Sequence, residues 1–526
     1  MPKNKQNFLT EIQEELFLNP QKGIENDLKN IYEKDQIILG WPKDTLKIFH
    51  PIARKNTSAI IGISLGDEGK GRFVDSKIEE MLKNSGIKKV FVIRYQGGNN
   101  AGHTLEKDHF RLALHLVPSG VLHKEAIGIM DQGMVVHVED LETEVSYVEE
   151  KVGSLKGRLF LSEDAILATD LERAEEVLNG IKTGAAKGGT GRGISPAYAH
   201  HYDRVGLKIY DLLDDNWQEI LEKKYIMYQK EFAAFDLDLS YINVPDFNLT
   251  SKTGRAQIRK VGHKKEFMDR LQKTRSWLIK RNFITNTFLV HRKIYKDKGV
   301  GIIFEGCQAE GLDAWLGTRP DVTSSNTSIY GARDGTAFWL PKLIDERIGI
   351  IKVPYSSSVG SRRMPTHIDL PDDLQDLGEE TTADQKWAAF VRKTACEYGT
   401  TTGRPRDINF FDLAFISYNA RMSGVEMITA THLDISQENQ TIKVCTHYED
   451  QKGNFVPYQP GLRHQKNITP IYVELAGWNG EACRKAKKAQ DLPCNALKFL
   501  SFIQARTGFP IVSATTGPKR ENIISF

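Results

Sequence analysis

Cysteine is scarce and scattered: five residues, Cys307, Cys396, Cys445, Cys483 and Cys494, in a chain of 526. Odd in number, far apart and without metal-ligand spacing, they exclude a disulfide framework and a zinc module, and predict reduced thiols in a cytoplasmic protein. Long apolar runs are missing too: nothing approaches the roughly 18 residues of a membrane span. The opening Met-Pro-Lys-Asn-Lys-Gln leads into an acidic amphipathic segment, not the apolar core of a signal peptide, so neither secretion nor membrane insertion is expected. Charge of one sign is absent as well. Charged residues make up 26% and balance to a formal +3, which argues against a chain built as a whole for nucleic acid or lipid surfaces. Any anion site must therefore be local. No internal repeat or low-complexity tract is evident, and the length allows one large core or about three ordinary domains.

What is present begins at residues 59–71, Ala-Ile-Ile-Gly-Ile-Ser-Leu-Gly-Asp-Glu-Gly-Lys-Gly. A short β-branched run passes directly into a loop of glycines, two acids and a lysine, and the chain from Arg72 reads as a helix. A strand, a Gly-rich turn and a helix N-terminus form an anion site, because glycines let backbone N–H groups close on phosphate oxygens while the helix dipole and Lys70 add positive charge. The familiar P-loop ends in Gly-Lys-Ser/Thr, with the hydroxyl on magnesium. Here Gly71 follows Lys70, which leaves Asp67 as the oxygen closest to a metal's place. An acid inside a phosphate cradle repels the ligand unless a cation or a proton-transfer task explains it.

A second strand, residues 89–94, runs into Tyr95-Gln-Gly-Gly-Asn-Asn-Ala-Gly-His-Thr104, and open α/β sheets place ligands at such carboxyl ends. His103, in a Gly/Asn loop with little core to join, is a candidate for chemistry as much as for structure. Before the first loop, Phe8, Ile12 and Leu16, then Ile24, Leu28 and Ile31, repeat at helical spacing. They predict an N-terminal helical extension over residues 1–57, packed on the body or docking a partner. Residues 251–281 are rich in lysine and arginine with few aromatics. They read as a solvated helical face, or else as an anion or nucleic-acid contact.

Together these motifs resemble the adenylosuccinate synthetase family, ligases that join aspartate to inosine monophosphate (IMP) at the expense of GTP. Gly66-Asp-Glu-Gly-Lys-Gly71 and Gln96-Gly-Gly-Asn-Asn-Ala-Gly-His-Thr104 carry the likeness first. Gly189-Thr-Gly-Arg-Gly-Ile-Ser-Pro-Ala-Tyr198, Phe304-Glu-Gly-Cys-Gln308 through Val322-Thr-Ser-Ser-Asn-Thr327, Gly399-Thr-Thr-Thr-Gly-Arg-Pro-Arg406, Thr431-His-Leu-Asp434 and Thr515-Thr-Gly-Pro-Lys-Arg520 follow in the family's order. The match weakens over residues 215–299, a divergent helical and basic segment. The fold implied is α/β, one large catalytic domain over residues 58–526 around a mainly parallel sheet, related to P-loop NTPases.

The resemblance also implies roles. Asp67 is the base that deprotonates the purine, His103 stabilises the transferring phosphoryl group, and Lys70 holds phosphates. Gly66, Glu68, Gly69, Gly71, Gly102, Thr104, His432, Asp434, Thr515 and Gly517 line the GTP site. Asn100, Thr190, Gln308, Thr323 and Val359 receive IMP, with Arg204 reaching in from the second subunit of a homodimer. Arg192, Thr401, Thr402, Arg404 and Arg406 bind L-aspartate, two arginines suiting its carboxylates. Mg²⁺ is the implied cofactor, held by Asp67 and Gly102. Two departures bear on specificity. His432 stands where the family carries lysine, and Ser356-Ser-Ser-Val-Gly-Ser-Arg-Arg-Met-Pro-Thr366 replaces its Ser-Thr-Arg-Val-Gly segment near the ribose. They leave open ATP as phosphoryl donor and a deoxynucleotide acceptor (dIMP or dGMP), although Asp67 differs from the serine of phage relatives that act on deoxyguanylate. A nucleotide-responsive binding protein with vestigial catalysis is the reading outside enzymes.

Overall fold

All six residues of Thr57–Gly62 are buried in strand β1, as its Ala-Ile-Ile run suits a strand covered on both faces. The computed structural model describes residues 56–84, 86–100, 102–107, 110–184, 189–247, 257–358, 363–378, 380–398, 405–461 and 466–526, without the side chains of 104–107, 110 and 111. The expected N-terminal helices lie outside the described residues, apart from the last two positions of that segment.

β1 sits inside a ten-stranded sheet with β2 (Lys89–Arg94), β3 (Ala126–Met130), β4 (Leu159–Ser162), β5 (Ile284–Thr285), β6 (Val300–Ala309), β7 (Glu346–Lys352), β8 (Met427–Thr431), β9 (Ile511–Thr515) and β10 (Ile523–Ser525). The spatial order is β5-β4-β3-β2-β6-β1-β7-β8-β9-β10. Every neighbouring pair is parallel except the last, β9 with β10. The fold is thus α/β around a mainly parallel sheet, as the sequence led us to expect. From β1 the chain runs toward β2 on one side and, after β6 returns beside β1, toward β7 and β8 on the other. Such a reversal opens a crevice beyond the carboxyl ends of the strands. The loops that follow β1, β2, β6, β7 and β8 meet there, and four of them contain motifs quoted above.

Helix α1 (Lys70–Lys83) leaves the β1 loop and buries Phe73, Val74, Ile78 and Met81, one helical face, against the sheet. Its N-cap, Gly69, has a left-handed backbone (φ 82°) and donates no capping side chain. The first-turn N–H groups of the helix are left for another acceptor.

The main core gathers around Phe304 and Trp339, whose rings pack edge-on with centroids 5.4 Å apart, with Tyr95 6.5 Å from Phe304. Phe304→Ala is expected to cost about 3–5 kcal/mol, the range for emptying a fully buried aromatic site. Chemical denaturation checks this through the shift of the unfolding midpoint at constant slope.

The divergent stretch supplies more than an outer layer. It contributes β5, the edge strand of the sheet. Trp217, Tyr225, Phe267, Leu278 and Phe283 share a core with Leu112, Val145 and Leu171. Arg259, Arg270 and Arg281 are engaged in ion pairs and are not a solvated face. Arg259 pairs with Glu139 at 2.7 Å and Asp170 at 2.9 Å, Arg270 with Asp170 at 2.9 Å, and Arg281 with Glu149. Carboxylates on neighbouring helices, invisible to composition, neutralise these three arginines, while Lys260, Lys265, Lys273 and Lys280 are exposed, as a solvated face requires. Among the described residues no helix is long and apolar enough to cross a membrane.

Candidate active site

The loop after β1 is shaped by three left-handed residues within four positions: Gly66 (φ 92°), Asp67 (φ 57°) and Gly69 (φ 82°). Two are glycine, for which this backbone carries no Cβ penalty; Asp67 is an outlier and aims its carboxylate away from the sheet's interior. Glu68 turns the other way. Fully buried, it accepts the Gly66 N–H at 2.7 Å and the Lys70 ammonium at 2.7 Å, bracing the loop from beneath. Of the two acids, then, one is structural and one faces the crevice. Lys70 is likewise buried, with two further ammonium protons beyond the one given to Glu68.

Asp67 is 42% exposed and pairs with Arg406. The surrounding protein alone would raise its pKa, but Arg406, then Lys352 and Lys70, outweigh that effect and hold the carboxyl below the usual range. It is ionised at neutral pH. Arg406 in turn donates to Glu397 at 2.8 Å. Glu397 is a buried hub: it also receives Lys352 Nζ at 2.7 Å, Tyr355 O–H at 2.5 Å and Ser357 Oγ at 2.9 Å. Burial opposes its charge, yet Lys352 and Arg406 keep the carboxyl depressed, while burial and Glu397 push the Tyr355 phenol well up. Lys352 ends β7, and Tyr355–Ser358 is a strand of a second, smaller sheet that pairs with Asp407–Asp412. One carboxylate thus ties the crevice end of the main sheet to Arg406, at the start of the strand Asp407–Asp412.

His103 lies across the crevice on the strand His103–Lys107, and its ring is buried. Nδ1 contacts Glu305, and Glu305 also accepts the Ser119 N–H at 2.8 Å and the Ser119 hydroxyl. β6 and β2 pair Glu305 with Arg94, which adds a buried positive charge nearby. Burial would raise the Glu305 carboxyl; His103, Arg94 and Ser119 lower it to about 2, so it is an anion. Burial lowers the His103 pKa and Glu305 only partly restores it. Nε2, the other ring nitrogen, is buried and has no partner among the described residues.

The residues expected to receive IMP partly converge. Gln308 Nε2 donates to Asn100 Oδ1 at 3.0 Å, Asn100 Nδ2 reaches Thr323 Oγ1 at 3.5 Å, and Gln308 Oε1 is buried without a partner among the described residues. Thr190 and Arg204 are exposed, outside this cluster. Arg192 is buried over the Phe247 ring (5.4 Å) with Nη1 3.4 Å from the Asp246 carbonyl. That position is apart from Arg406's ion pairs. Val359, Thr401, Thr402 and Arg404 lie outside the described residues, as does the side chain of Thr104, which is placed on the strand of His103.

The loops expected at the donor base close around α1. Leu433 N–H donates to the Thr515 carbonyl at 3.0 Å and His432 N–H to Thr515 Oγ1 at 3.2 Å. Arg72, in the first turn of α1, donates to the Gly517 carbonyl, and Arg520 binds Asp75 of α1 through Nη2 at 2.7 Å. Asp434 is buried and accepts Arg484 Nε at 2.9 Å. His432 has a left-handed backbone (φ 64°), and its ring meets Tyr355 edge-on at 5.9 Å. Burial, with Lys352 and Arg72 nearby, lowers its pKa to about 3, so the imidazole is neutral where a lysine would be cationic.

Glu305, Ser119, Lys352 and Glu397 escaped sequence reasoning as site residues. Glu305 did leave a signal, a lone charge in the strand Val300–Ala309, and Lys352 a weaker one, a charge that closes the apolar Ile-Gly-Ile-Ile run of Glu346–Lys352. Glu397 and Ser119 left none, since only the fold brings them to their partners. As to metal, the Asp67 carboxylate and the Gly102 carbonyl are hard oxygen donors, and no group of three or more His, Cys, Asp or Glu among the described residues forms an all-protein cage. This sparse oxygen set fits Mg²⁺, which usually completes its shell with water and substrate phosphates.

The adenylosuccinate synthetase family model matches residues 59–524. Adenylosuccinate synthetase of Aquifex aeolicus is 34% identical over 474 residues, 88% of this chain and 96% of its own. That of Caldicellulosiruptor bescii is 33% identical over 470 residues, 89% of this chain and 98% of its own. Among solved structures, a fully ligated adenylosuccinate synthetase from Plasmodium falciparum superposes with a TM-score of 0.75 at 26% identity, covering 90% of this chain and 100% of that one. Cyanophage S-2L succinoaminodeoxyadenylate synthetase shares the fold at a TM-score of 0.50 and 16% identity, covering 90% and 95%. With its phosphate loop, the crevice at the β1 switch point and relatives matched along nearly their whole length, the chain belongs to the adenylosuccinate synthetase family of carbon–nitrogen ligases.

Proposed function

We propose that the protein joins L-aspartate to IMP with GTP, giving adenylosuccinate, GDP and phosphate through a 6-phosphoryl-IMP intermediate. The observation that carries this reading is the ionised Asp67 carboxylate, held by Arg406 at the apex of a phosphate loop. A phosphate loop that only binds has no use for a charge that repels its ligand.

The 6-oxo group of a purine is a poor leaving group, and phosphorylation converts it into a good one. Asp67 takes the proton from ring N1, which makes the 6-oxygen nucleophilic. Lys70 and the uncapped N–H groups of α1 hold the donor's phosphates. Nε2 of His103 donates to the transferring phosphoryl group once the ring is protonated, a state the Glu305 anion favours from behind. Bound through Asp67 and Gly102, Mg²⁺ would neutralise charge on the donor phosphates. The Asn100, Gln308 and Thr323 cluster takes the acceptor, Gln308 Oε1 being the buried atom that seeks a base N–H. Arg406, with Arg192, Thr401, Thr402 and Arg404, takes the carboxylates of aspartate. Each site is completed in a homodimer by Arg204 of the second copy. Residues 58–526 form the catalytic unit in a cytoplasmic enzyme, and residues 1–57 an N-terminal extension of it.

A second reading, ATP as donor or a deoxynucleotide as acceptor, is favoured by two observations. His432 is uncharged, and Ser358 Oγ is buried without a partner among the described residues. Purified protein with Mg²⁺, aspartate, IMP or dIMP, and GTP or ATP, read by mass spectrometry, separates the two. Adenylosuccinate from IMP and GTP at the highest kcat/KM is the expected result. Turnover independent of aspartate would sink the ligase reading, and a preference for ATP or dIMP would transfer it to the second.

A further inference from the structure

A buried imidazole is useful to a ligand only if its free nitrogen faces the ligand and stays there. His103 has one ring nitrogen committed and one open: Nδ1 on Glu305, Nε2 buried and without a partner among the described residues. Glu305 is itself held from three directions. Its Oε2 accepts the Ser119 N–H at 2.8 Å, its Oε1 accepts the Ser119 hydroxyl, and the pairing of β6 with β2 sets it opposite Arg94. Arg94 is fully buried too, tied to the His115 carbonyl and Cys307 Sγ. A carboxylate accepts hydrogen bonds and does not donate them, so the nitrogen facing Glu305 carries a proton, and the tautomer is fixed with Nδ1–H inward. Rotating the ring would leave a buried anion facing the ring nitrogen's lone pair or a C–H.

We propose that Glu305, with Ser119 behind it, is a positioning residue for phosphoryl transfer: it holds the Nδ1–H and the rotation of His103 so that Nε2, on taking up its own proton, meets the transferring group. The inference rests on the reading that His103 serves that group. Glu305 does not itself touch substrate. Its effect is therefore on the transition state and not on ground-state binding, and kcat changes without KM.

Two measurements on the full-length protein test it. Selective ¹⁵N-histidine labelling reads the tautomer of His103, assigned by its loss in His103→Asn, without any reaction. The Nδ1–H form is expected in the native protein and a mixture of tautomers in Glu305→Gln. Steady-state kinetics of Glu305→Gln should show kcat lower by roughly 10²-fold, with each KM within about threefold of the native value. Ser119→Ala, which leaves Glu305 charged but less firmly held, should lower kcat about tenfold in the same pattern, and it stands in if Glu305→Gln fails to fold. A native Nε2–H tautomer overturns the proposal. So does unchanged kcat in the variants, or KM rising at constant kcat, the pattern of a structural residue. Native protein that forms no adenylosuccinate would instead defeat the functional reading and leave the tautomer result standing.

Discussion

Asp67→Asn lowers kcat by roughly 10³-fold and leaves the unfolding transition in place, because the substitution keeps the shape of the loop and removes only its base. A positioned base contributes about 10²–10⁴-fold. Here the base is ionised at neutral pH by Arg406, Lys352 and Lys70 despite the protein around it. Arg406 does not lose its anchor in the variant, since Glu397 still accepts it at 2.8 Å. The KM for aspartate is therefore not expected to rise. Single-turnover phosphate release from GTP in the presence of IMP and aspartate checks the assignment. Release at the native rate would mean that another group deprotonates the purine.

Lys70→Ala damages both activity and fold, and the two losses can be separated. The ammonium is a phosphate ligand in the account above, and removing one such cation costs about 10²–10³-fold in kcat. It is also the partner of Glu68 at 2.7 Å in a site where both side chains are almost fully buried. Taking away one member of a buried pair leaves an uncompensated charge, at about 3–5 kcal/mol. Glu68 would keep only the Gly66 N–H. Adding Glu68→Gln to Lys70→Ala removes that charge, so stability returns while activity does not. Denaturation and kinetics measured side by side on the single and double variants check both halves. Recovery of activity in the double variant would mean that Lys70 serves the loop's architecture and not the ligand.

These outcomes depend on a division of labour that the sequence showed only in part. The β1 strand, the phosphate loop and the helix after it were legible because each is a local pattern: a β-branched run, glycines where φ turns positive, and an amphipathic repeat through Phe73, Val74, Ile78 and Met81. The Asn100, Gln308 and Thr323 cluster was legible through the family motifs. What remained hidden was the partner of each charge. Asp67 and Glu68 are adjacent and chemically alike, yet one faces the crevice and the other a buried lysine, a difference set by backbone dihedrals. The basic run after residue 251 read as solvated because the acids that pair with its arginines are remote in sequence: Glu139 lies 120 residues before Arg259, Asp170 lies 100 before Arg270 and Glu149 lies 132 before Arg281. Glu397 became a site residue only when β7 and the smaller sheet brought Lys352, Tyr355, Ser357 and Arg406 to it.

The central claim is that the purine's 6-oxygen is phosphorylated before aspartate displaces it, and following that oxygen tests it most directly. IMP labelled with ¹⁸O at position 6 is converted with GTP, Mg²⁺ and aspartate, and the released phosphate is analysed by mass spectrometry. The account predicts one ¹⁸O atom in each phosphate for each adenylosuccinate formed. Label recovered in water, with unlabelled phosphate, would contradict it.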